Sequence, residues 1–145
     1  MEHIAILKKC WGLIPKILSG KKIVESRWYV SRRAPWDRIK AGETVYFKNS
    51  GEPVTARAEV AKVLQFADLT PPKIKAILRE HGEAIGIEKD RIANEFKSVK
   101  DKKYCMLIWL KNPREIEPFN INKAGFGLMS AWLAVEDVER IKIKV

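Results

Sequence analysis

The sequence predicts a mixed α/β fold of the α+β kind, a small β-barrel with helices covering its openings. Two observations support this prediction. Segments with strand patterns outnumber those with helical patterns, and the central helices arrive together as one insertion between strands. The chain has 145 residues, which is an ordinary size for one domain, so we expect residues 1–145 to form a single domain with a sizeable core.

The first forty residues predict a strand, a short helix, a second strand and a loop. Residues 3–9 contain an apolar run typical of a strand. Pro15 suits a first helical turn, and Gly20 is placed to end that helix in a left-handed cap. Residues 23–29 begin with β-branched side chains and are expected to be extended, whereas the charged residues 31–38 are expected to form a loop.

The middle of the chain predicts two further strands. Residues 44–48 have a strand pattern, residues 49–53 are expected to form a turn, and residues 54–66 alternate well enough for a long half-buried strand. One face of that long strand is expected to carry Ala56, Ala58, Val60, Leu64 and Phe66.

The helical insertion is predicted from its capping residues. Thr70 suits the N-cap and Pro71 the first helical position, and Gly82 is placed to close the helix. His81 lies on the apolar stripe of this helix, so we interpret it as a packed side chain rather than a catalytic one. A second helix is expected over residues 89–99.

The last third of the chain predicts strands again. Residues 103–111 are apolar on both faces, which favours a central strand, and a turn is expected at Asn112 and Pro113. Residues 114–121 are expected to be extended, with Pro118 indicating an edge or a bulge. A loop over residues 122–127 and a last strand over residues 140–145 complete the prediction.

Positive charge is concentrated near the N-terminus. The net charge is +10, and residues 8–40 hold ten lysines and arginines against only Glu25 and Asp37. Trp11, Trp28 and Trp36 fall in the same segment. Cations neutralise phosphates and aromatic rings stack on bases, so this segment predicts contact with nucleic acid. The alternative is a solvated basic face over a few core aromatics.

Cysteine and histidine usage gives no indication of a metal or cofactor. Cys10 and Cys105 both lie in apolar surroundings, which favours buried free thiols over a disulfide. The two histidines and two cysteines show no metal-binding spacing, so neither metal nor cofactor is expected.

No segment is long and apolar enough for a membrane span or a signal peptide, and a cytoplasmic location is expected. Gln65 is the only glutamine beside many charged residues, which favours a thermophilic, archaeal source.

The most informative stretch is residues 20–27, where Gly20, Lys22, Glu25 and Arg27 stand at fixed spacing. In a regular strand Glu25 and Arg27 share one face about 6 to 7 Å apart, and Lys22 points the opposite way. Lys22 joins them only if the chain bends at Gly20. Such a trio suits a phosphate or base site, a catalytic site with Lys22 and Glu25 as acid–base groups, or a structural ion-pair network.

These four residues match a glycine-x-lysine-x-x-glutamate-x-arginine signature that resembles the ASCH domains, a branch of the PUA-like superfamily. The strand pattern of residues 42–47, the Pro118–Phe119 pair and Trp132 are similar to the family as well, and the resemblance covers roughly the whole chain. It implies a PUA-like pseudobarrel with an RNA-binding cleft between barrel and helices, in proteins linked to translation or transcription coactivation.

The resemblance also implies possible enzymes. One small branch of relatives hydrolyses the acetyl amide of N4-acetylcytidine, and another cuts RNA. In the amidohydrolase branch a threonine stands where this chain has Glu25, so the lysine carries over to Lys22 and the threonine nucleophile does not. Ser26 is adjacent, but strand alternation turns it away. A second catalytic glutamate would come from the helical insertion, where the candidates are Glu83, Glu88 and Glu95.

The leading hypothesis from the sequence is an RNA- or nucleotide-binding module. Lys22, Glu25 and Arg27 are expected to form the cleft floor. Stacking and phosphate contacts are expected from Trp28, Arg32, Arg33, Trp36 and Lys123. The alternatives are a hydrolase acting on a modified nucleoside or RNA, with Lys22 and Glu25 catalytic, and a protein-interaction module. The oligomeric state is left open, with a monomer favoured.

Overall fold

The computed structural model describes residues 1–127 and 129–143, and these residues form seven strands and three α-helices. The strands are β1 (Glu2–Leu7), β2 (Val24–Tyr29), β3 (Thr44–Asn49), β4 (Val54–Phe66), β5 (Tyr104–Ile121), β6 (Trp132–Val135) and β7 (Lys142–Ile143). The helices are α1 (Leu13–Leu18), α2 (Pro71–Ile85) and α3 (Ile92–Val99), with short 3₁₀ turns at Lys9–Trp11, Lys89–Arg91 and Val138–Arg140.

The strands form one curled half-barrel sheet. Their order is β2-β5-β4-β3-β1-β6, with β7 attached to β5. Neighbours are antiparallel except β1 and β3, which run parallel. The fold is therefore mixed α/β with a barrel-like sheet, as the sequence predicts. Within the described residues, β2 and β6 are the two end strands of this path, and no ladder joins them.

Three apolar clusters hold helices and loops against the sheet. The first lies on the face shared by β1, β3, β4 and β5, and it contains Phe47, Val60 and Ile108 together with Ile14 and Ile17 of α1. The second joins the opposite face of β2, β4 and β5 to α2 and α3. The third lies behind β1, β3 and β6. Helix α1 thus covers the concave side, and α2 and α3 cover the back of the sheet.

Strand β4 does not keep one apolar face along its length, which corrects the sequence prediction. Ala56, Ala58 and Val60 belong to the first cluster, which includes α1, whereas Leu64 and Phe66 pack against the α2–α3 cluster. The register against β5 shifts between Val60 and Lys62. The extra residue in this bulge turns every later side chain to the other face.

The predicted turn at Asn112 and Pro113 is a bulge inside β5. The strand continues from Tyr104 to Ile121 because β4 is long enough to pair with both halves. Asn112 adopts a left-handed φ of 52°, and its side-chain amide donates to Glu59 Oε2 at 3.3 Å. Pro118 lies at a second register shift, as the sequence predicts.

Helix α2 passes through Gly82 and ends at Ile85, where Gly86 adopts a left-handed φ of 93°. The predicted closure at Gly82 is therefore wrong. A Cβ at Gly82 would lie 3.0 Å from Ile92 Cδ1, so this glycine serves close helix packing instead. Thr70 and Pro71 begin the helix as predicted, and the packed His81 contacts the edge of Trp109.

Other predictions are refined at the ends of elements. Cys105 is buried, whereas Cys10 is exposed because it lies in the 3₁₀ turn after β1; both are free thiols. The predicted last strand is formed only at Lys142–Ile143, and residues 144 and 145 lie outside the described part. None of the described helices is both long and apolar enough to cross a membrane.

Candidate nucleic-acid interface at the signature segment

The turn after α1 brings Lys22 towards the other signature residues. Ser19 ends the helix, and Gly20 follows with a left-handed φ of 81°. The Lys22 amide then donates to the Lys16 carbonyl at 3.0 Å, which closes the turn. The next residue, Ile23, donates to Ala84 of α2 and accepts from Leu110 of β5. The bend that the spacing required is present.

Lys22 is buried at 2% exposure, and its ammonium is bound to backbone. Nζ donates to the carbonyls of Val24 and Ile85, each at 2.8 Å. Ile85 is the last residue of α2, so a cation here also complements the negative end of the helix dipole. A Cβ at Gly86 would lie 3.2 Å from Lys22 Cβ, so the glycine makes room for this stem. Burial lowers the pKa of Lys22, and the Glu25 carboxylate opposes that change.

Glu25 lies between the two signature cations and is 3% exposed. Its Oε1 is 3.6 Å from Lys22 Nζ, and its Oε2 is 3.8 Å from Arg27 Nη2. Both distances are longer than the donor–acceptor distance of a good hydrogen bond. Oε2 is buried and has no hydrogen-bond partner among the described residues. The two cations therefore compensate the charge of the carboxylate, while its Oε2 accepts no hydrogen bond from the described residues.

Arg27 links the end strand β2 to β1 and to the residue that precedes β6. Its Nη1 donates to the Ala131 carbonyl at 3.1 Å, and its Nη2 to the Ile6 carbonyl at 3.4 Å. Its guanidinium lies 5.1 Å from the centre of the Trp132 ring. Because Arg27 belongs to β2, Ile6 to β1 and Ala131 to the segment directly before β6, the side chain spans the gap that no ladder closes among the described residues.

An aromatic group continues the signature face of β2. Tyr29 lies on the same face as Glu25 and Arg27, and its hydroxyl donates to the Ala34 carbonyl at 3.0 Å. Burial raises the pKa of Tyr29, and the charge of Arg27 opposes that change. Its cross-strand partner is Tyr104, whose ring packs edge-to-face with that of Trp36, with 5.2 Å between the ring centres.

Arg32 completes this group from the loop. Its guanidinium is 5.8 Å from the Trp36 ring centre and 5.6 Å from that of Tyr104. Arg32 and Arg33 are exposed, while Trp36 is partly buried. The sequence prediction missed Tyr29 and Tyr104. Strand alternation from Glu25 could have found Tyr29, but Tyr104 is found only from the register of β5.

Two of the predicted contact residues lie apart from this group. Trp28 is on the opposite face of β2 and packs against the α2–α3 cluster. Lys123 belongs to the loop before β6, and its Nζ donates to the Ser130 carbonyl at 3.1 Å. Ser130 precedes Ala131, which accepts from Arg27, so Lys123 and Arg27 bind adjacent carbonyls of one segment.

The other candidate groups differ in how close they lie to the signature residues. Of the three glutamates in the helical insertion, Glu83 and Glu88 are exposed, and only Glu95 is partly buried with a charge that acts on Lys22. A cavity of about 490 Å³ lies between the end of β4 and α2, where Phe66 and His81 line it, away from the signature. In the described part of the chain, no three His, Cys, Asp or Glu residues are grouped to hold a metal ion.

Comparisons with known proteins identify the fold. No model of a protein family matches the sequence, and no curated protein matches it. The structure is similar to that of ASCH from Zymomonas mobilis, with a TM-score of 0.67 and 17% identity over 96% of this chain and 90% of that one. A point mutant of that protein has the same TM-score and identity, covering 93% of its chain.

A third solved structure, described as hypothetical protein PH0355, has a TM-score of 0.51 and 19% identity over 78% of this chain and 97% of that one. The similarity to the Zymomonas protein extends over nearly the whole of both chains. At this low identity it establishes the fold rather than an activity. The chain therefore has the ASCH fold within the PUA-like architecture, as its signature resemblance implied.

Proposed function

We propose that the protein is an RNA- or nucleotide-binding module. The surface concerned consists of Tyr29, Arg32, Arg33, Trp36 and Tyr104, and is called here the aromatic–basic face. The observation that carries the proposal is the guanidinium of Arg32 over two aromatic rings, in the loop that follows the strand of Glu25 and Arg27. Rings of this kind stack on bases, and exposed guanidinium groups bind phosphates.

The signature residues support this surface from below. The Lys22 ammonium donates two hydrogen bonds to backbone carbonyls and forms an ion pair with Glu25. Lys22 therefore positions Glu25 rather than holding a phosphate itself. Arg27 is likewise bound to backbone, and the free acceptor of Glu25 faces it. Trp28 supports β2 from behind, and Lys123 adds a cation next to the segment that binds Arg27.

The proposal is tested by fluorescence anisotropy with a short single-stranded RNA of mixed sequence. We expect affinity to fall steeply as salt is raised, because each neutralised phosphate releases counterions. Each arginine removed in Arg32→Ala and Arg33→Ala should lower the slope of log K against log salt by about 0.7 per lost phosphate contact. Trp36→Ala should weaken binding by about 1 to 3 kcal/mol if a base stacks there.

Lys97→Ala is the matched control, because Lys97 is exposed on α3, which packs on the other side of the sheet. It removes the same charge without touching the aromatic–basic face. Binding that responds equally to Lys97→Ala and Arg33→Ala would indicate general attraction to a basic protein. Binding that is unchanged in the Arg32→Ala, Arg33→Ala double variant would overturn the proposal.

A hydrolase acting on a modified nucleoside is the second candidate, and the Lys22 environment favours it. Burial lowers the pKa of this amine and the charge of Arg27 lowers it further, while the charges of Glu25 and Glu95 oppose that change. An amine closer to neutrality can act as nucleophile or acid–base group. Against this stands Glu25, since the related amidohydrolases use a threonine there.

The hydrolase is tested by incubation with N4-acetylcytidine, which water would split into cytidine and acetate. Chromatography would detect the cytidine, and Lys22→Ala is the control, with circular dichroism to check that the variant is folded. No cytidine from the wild-type protein excludes this activity. Cytidine that still forms with the folded Lys22→Ala protein excludes Lys22 from the chemistry.

A further inference from the structure

A chain of hydrogen bonds, completed by one cation–π contact, runs from the N-terminus to Arg27. His3 is completely buried in β1, and its Nδ1 accepts from the indole Nε1–H of Trp132 at 3.0 Å. Its Nε2 lies 2.9 Å from Glu43 Oε1. Trp132 is the first residue of β6, and its ring lies 5.1 Å from the Arg27 guanidinium. The side chains of His3 and Trp132 thus connect Glu43 to Arg27 of the signature.

The tautomer of His3 follows from its partners. An indole N–H can only donate, so Nδ1 must keep its lone pair, and the single proton of the neutral ring lies on Nε2 and is donated to Glu43. A second proton on Nδ1 would point at the indole N–H. Protonation of His3 therefore breaks the hydrogen bond to Trp132, and burial lowers the pKa of His3 in the same sense.

The charges around His3 come from few groups. Glu43, in the loop before β3, contacts it directly, and the Met1 ammonium lies 2.9 Å from the other oxygen of that carboxylate. The cross-strand neighbours Val45 of β3 and Ala134 of β6 are uncharged. A protonated His3 would gain attraction from Glu43 but lose the bond that orients Trp132.

We propose that His3 and Trp132 are positioning residues for the RNA-binding site, with neutral His3 holding the indole ring under Arg27. The effect on RNA binding rests on the proposed function, whereas the coupling of His3 to Arg27 through Trp132 does not. When His3 takes a proton, the indole loses its acceptor and the ring turns. Arg27 then loses its ring contact and keeps only the Ile6 and Ala131 carbonyls and the Glu25 carboxylate, so binding at the adjacent aromatic–basic face weakens.

The mechanism is tested without RNA by NMR titration. Only His3 and His81 give histidine signals, and His3→Gln identifies the His3 resonance by its loss. We expect the Trp132 Nε1–H and Arg27 Nε–H signals to shift with the same midpoint as His3. In Trp132→Phe we expect the midpoint of His3 to rise, because Nδ1 is no longer opposed by a donor. An Arg27 signal that ignores the titration of His3 overturns the proposal.

The consequence is tested by RNA binding between about pH 8 and pH 5. Loss of the ring contact should weaken binding about fivefold, the effect of one cation–π contact, with the midpoint that NMR gives for His3. His3→Gln keeps a donor and an acceptor but takes no proton, so its affinity should not change over this range. His81→Gln should keep the wild-type pH profile.

The two hypotheses fail differently. If the wild-type protein binds no RNA at pH 8 while Arg27 still follows His3, the proposed function is wrong and the positioning chain stands. If RNA binds but the pH dependence persists in His3→Gln, the positioning role is wrong and the proposed function stands.

Discussion

The signature cluster and the loop over residues 31–38 hold the same kinds of side chain, but they use them in opposite ways. Lys22 and Arg27 direct their donors inward to backbone carbonyls of four different segments. Arg32 and Arg33 are exposed to solvent, and the Arg32 guanidinium lies over the rings of Trp36 and Tyr104. Basic charge close together in sequence therefore has two environments: the signature cations connect elements of the fold, and the loop arginines are exposed to solvent.

This difference separates stability from binding. A buried cation that satisfies carbonyls and compensates a carboxylate is costly to remove, whereas an exposed arginine contributes little to folding. Substitutions in the signature should therefore destabilise the protein, and substitutions in the loop should weaken binding alone.

The largest expected effect is that of Lys22→Ala. It leaves Glu25 with one cation fewer and removes the donor from Val24 and Ile85, so the free energy of unfolding should fall by about 3 to 5 kcal/mol. Urea denaturation measures this change. Lys21→Ala is the matched control, because Lys21 is exposed and adjacent. Equal stability of the two variants would contradict the structural role of Lys22.

The next effect compares two glycines with left-handed backbones. Gly20→Ala and Gly86→Ala should each cost about 1 to 2 kcal/mol for a side chain at positive φ. A Cβ at Gly86 also meets the Lys22 stem at 3.2 Å, while a Cβ at Gly20 meets nothing within 4 Å. Thermal and urea unfolding should therefore find Gly86→Ala the less stable variant. The reverse order would show that the contact between Gly86 and Lys22 is unimportant.

The third effect is the pH dependence that His3 contributes to stability. Burial lowers the pKa of His3 from its ordinary value of 6.5, so below that pH the unfolded chain binds a proton that the folded protein resists. The contribution is complete above pH 6.5 and is lost as pH falls towards the folded pKa, by at most about 1.4 kcal/mol per pH unit. Unfolding midpoints measured over this range should decline in the wild-type protein. A decline of the same size in His3→Gln would assign it to other groups.

The smallest expected effect is that of Arg33→Ala on stability. The side chain is exposed, so the free energy of unfolding should change by no more than about 0.5 kcal/mol. The same variant should weaken RNA binding. A large loss of stability in Arg33→Ala would remove the distinction between the loop and the signature.

Much of the fold could be predicted from local patterns. The strands, the start of α2 at Pro71 after Thr70 and the bend at Gly20 follow from alternation and from backbone preferences that act over a few residues. The wrong predictions are those at positions whose conformation depends on contacts with other elements of the fold. Asn112 lies in a bulge because β4 continues to pair beyond it, and Gly82 remains helical because Ile92 packs against it.

The candidate site divides in the same way. Spacing alone predicted that Lys22, Glu25 and Arg27 meet, since a turn followed by a strand brings them to one face. It could not predict that Lys22 binds Ile85, 63 residues away, or that Arg27 binds Ala131, 104 residues away. Nor could it show that Trp28 faces the helices while Tyr104 lies beside Tyr29, because those positions depend on the register of β5 against β2.

The amino-acid sequence thus determined the element types, the basic character of the N-terminal third and the trio of signature charges, since each depends on neighbours within one turn or strand. Only the tertiary structure decided which of those charges are used internally and which are exposed. The physical reason is that a buried ion requires partners on every side, and these come from strands and helices that meet only in the folded chain.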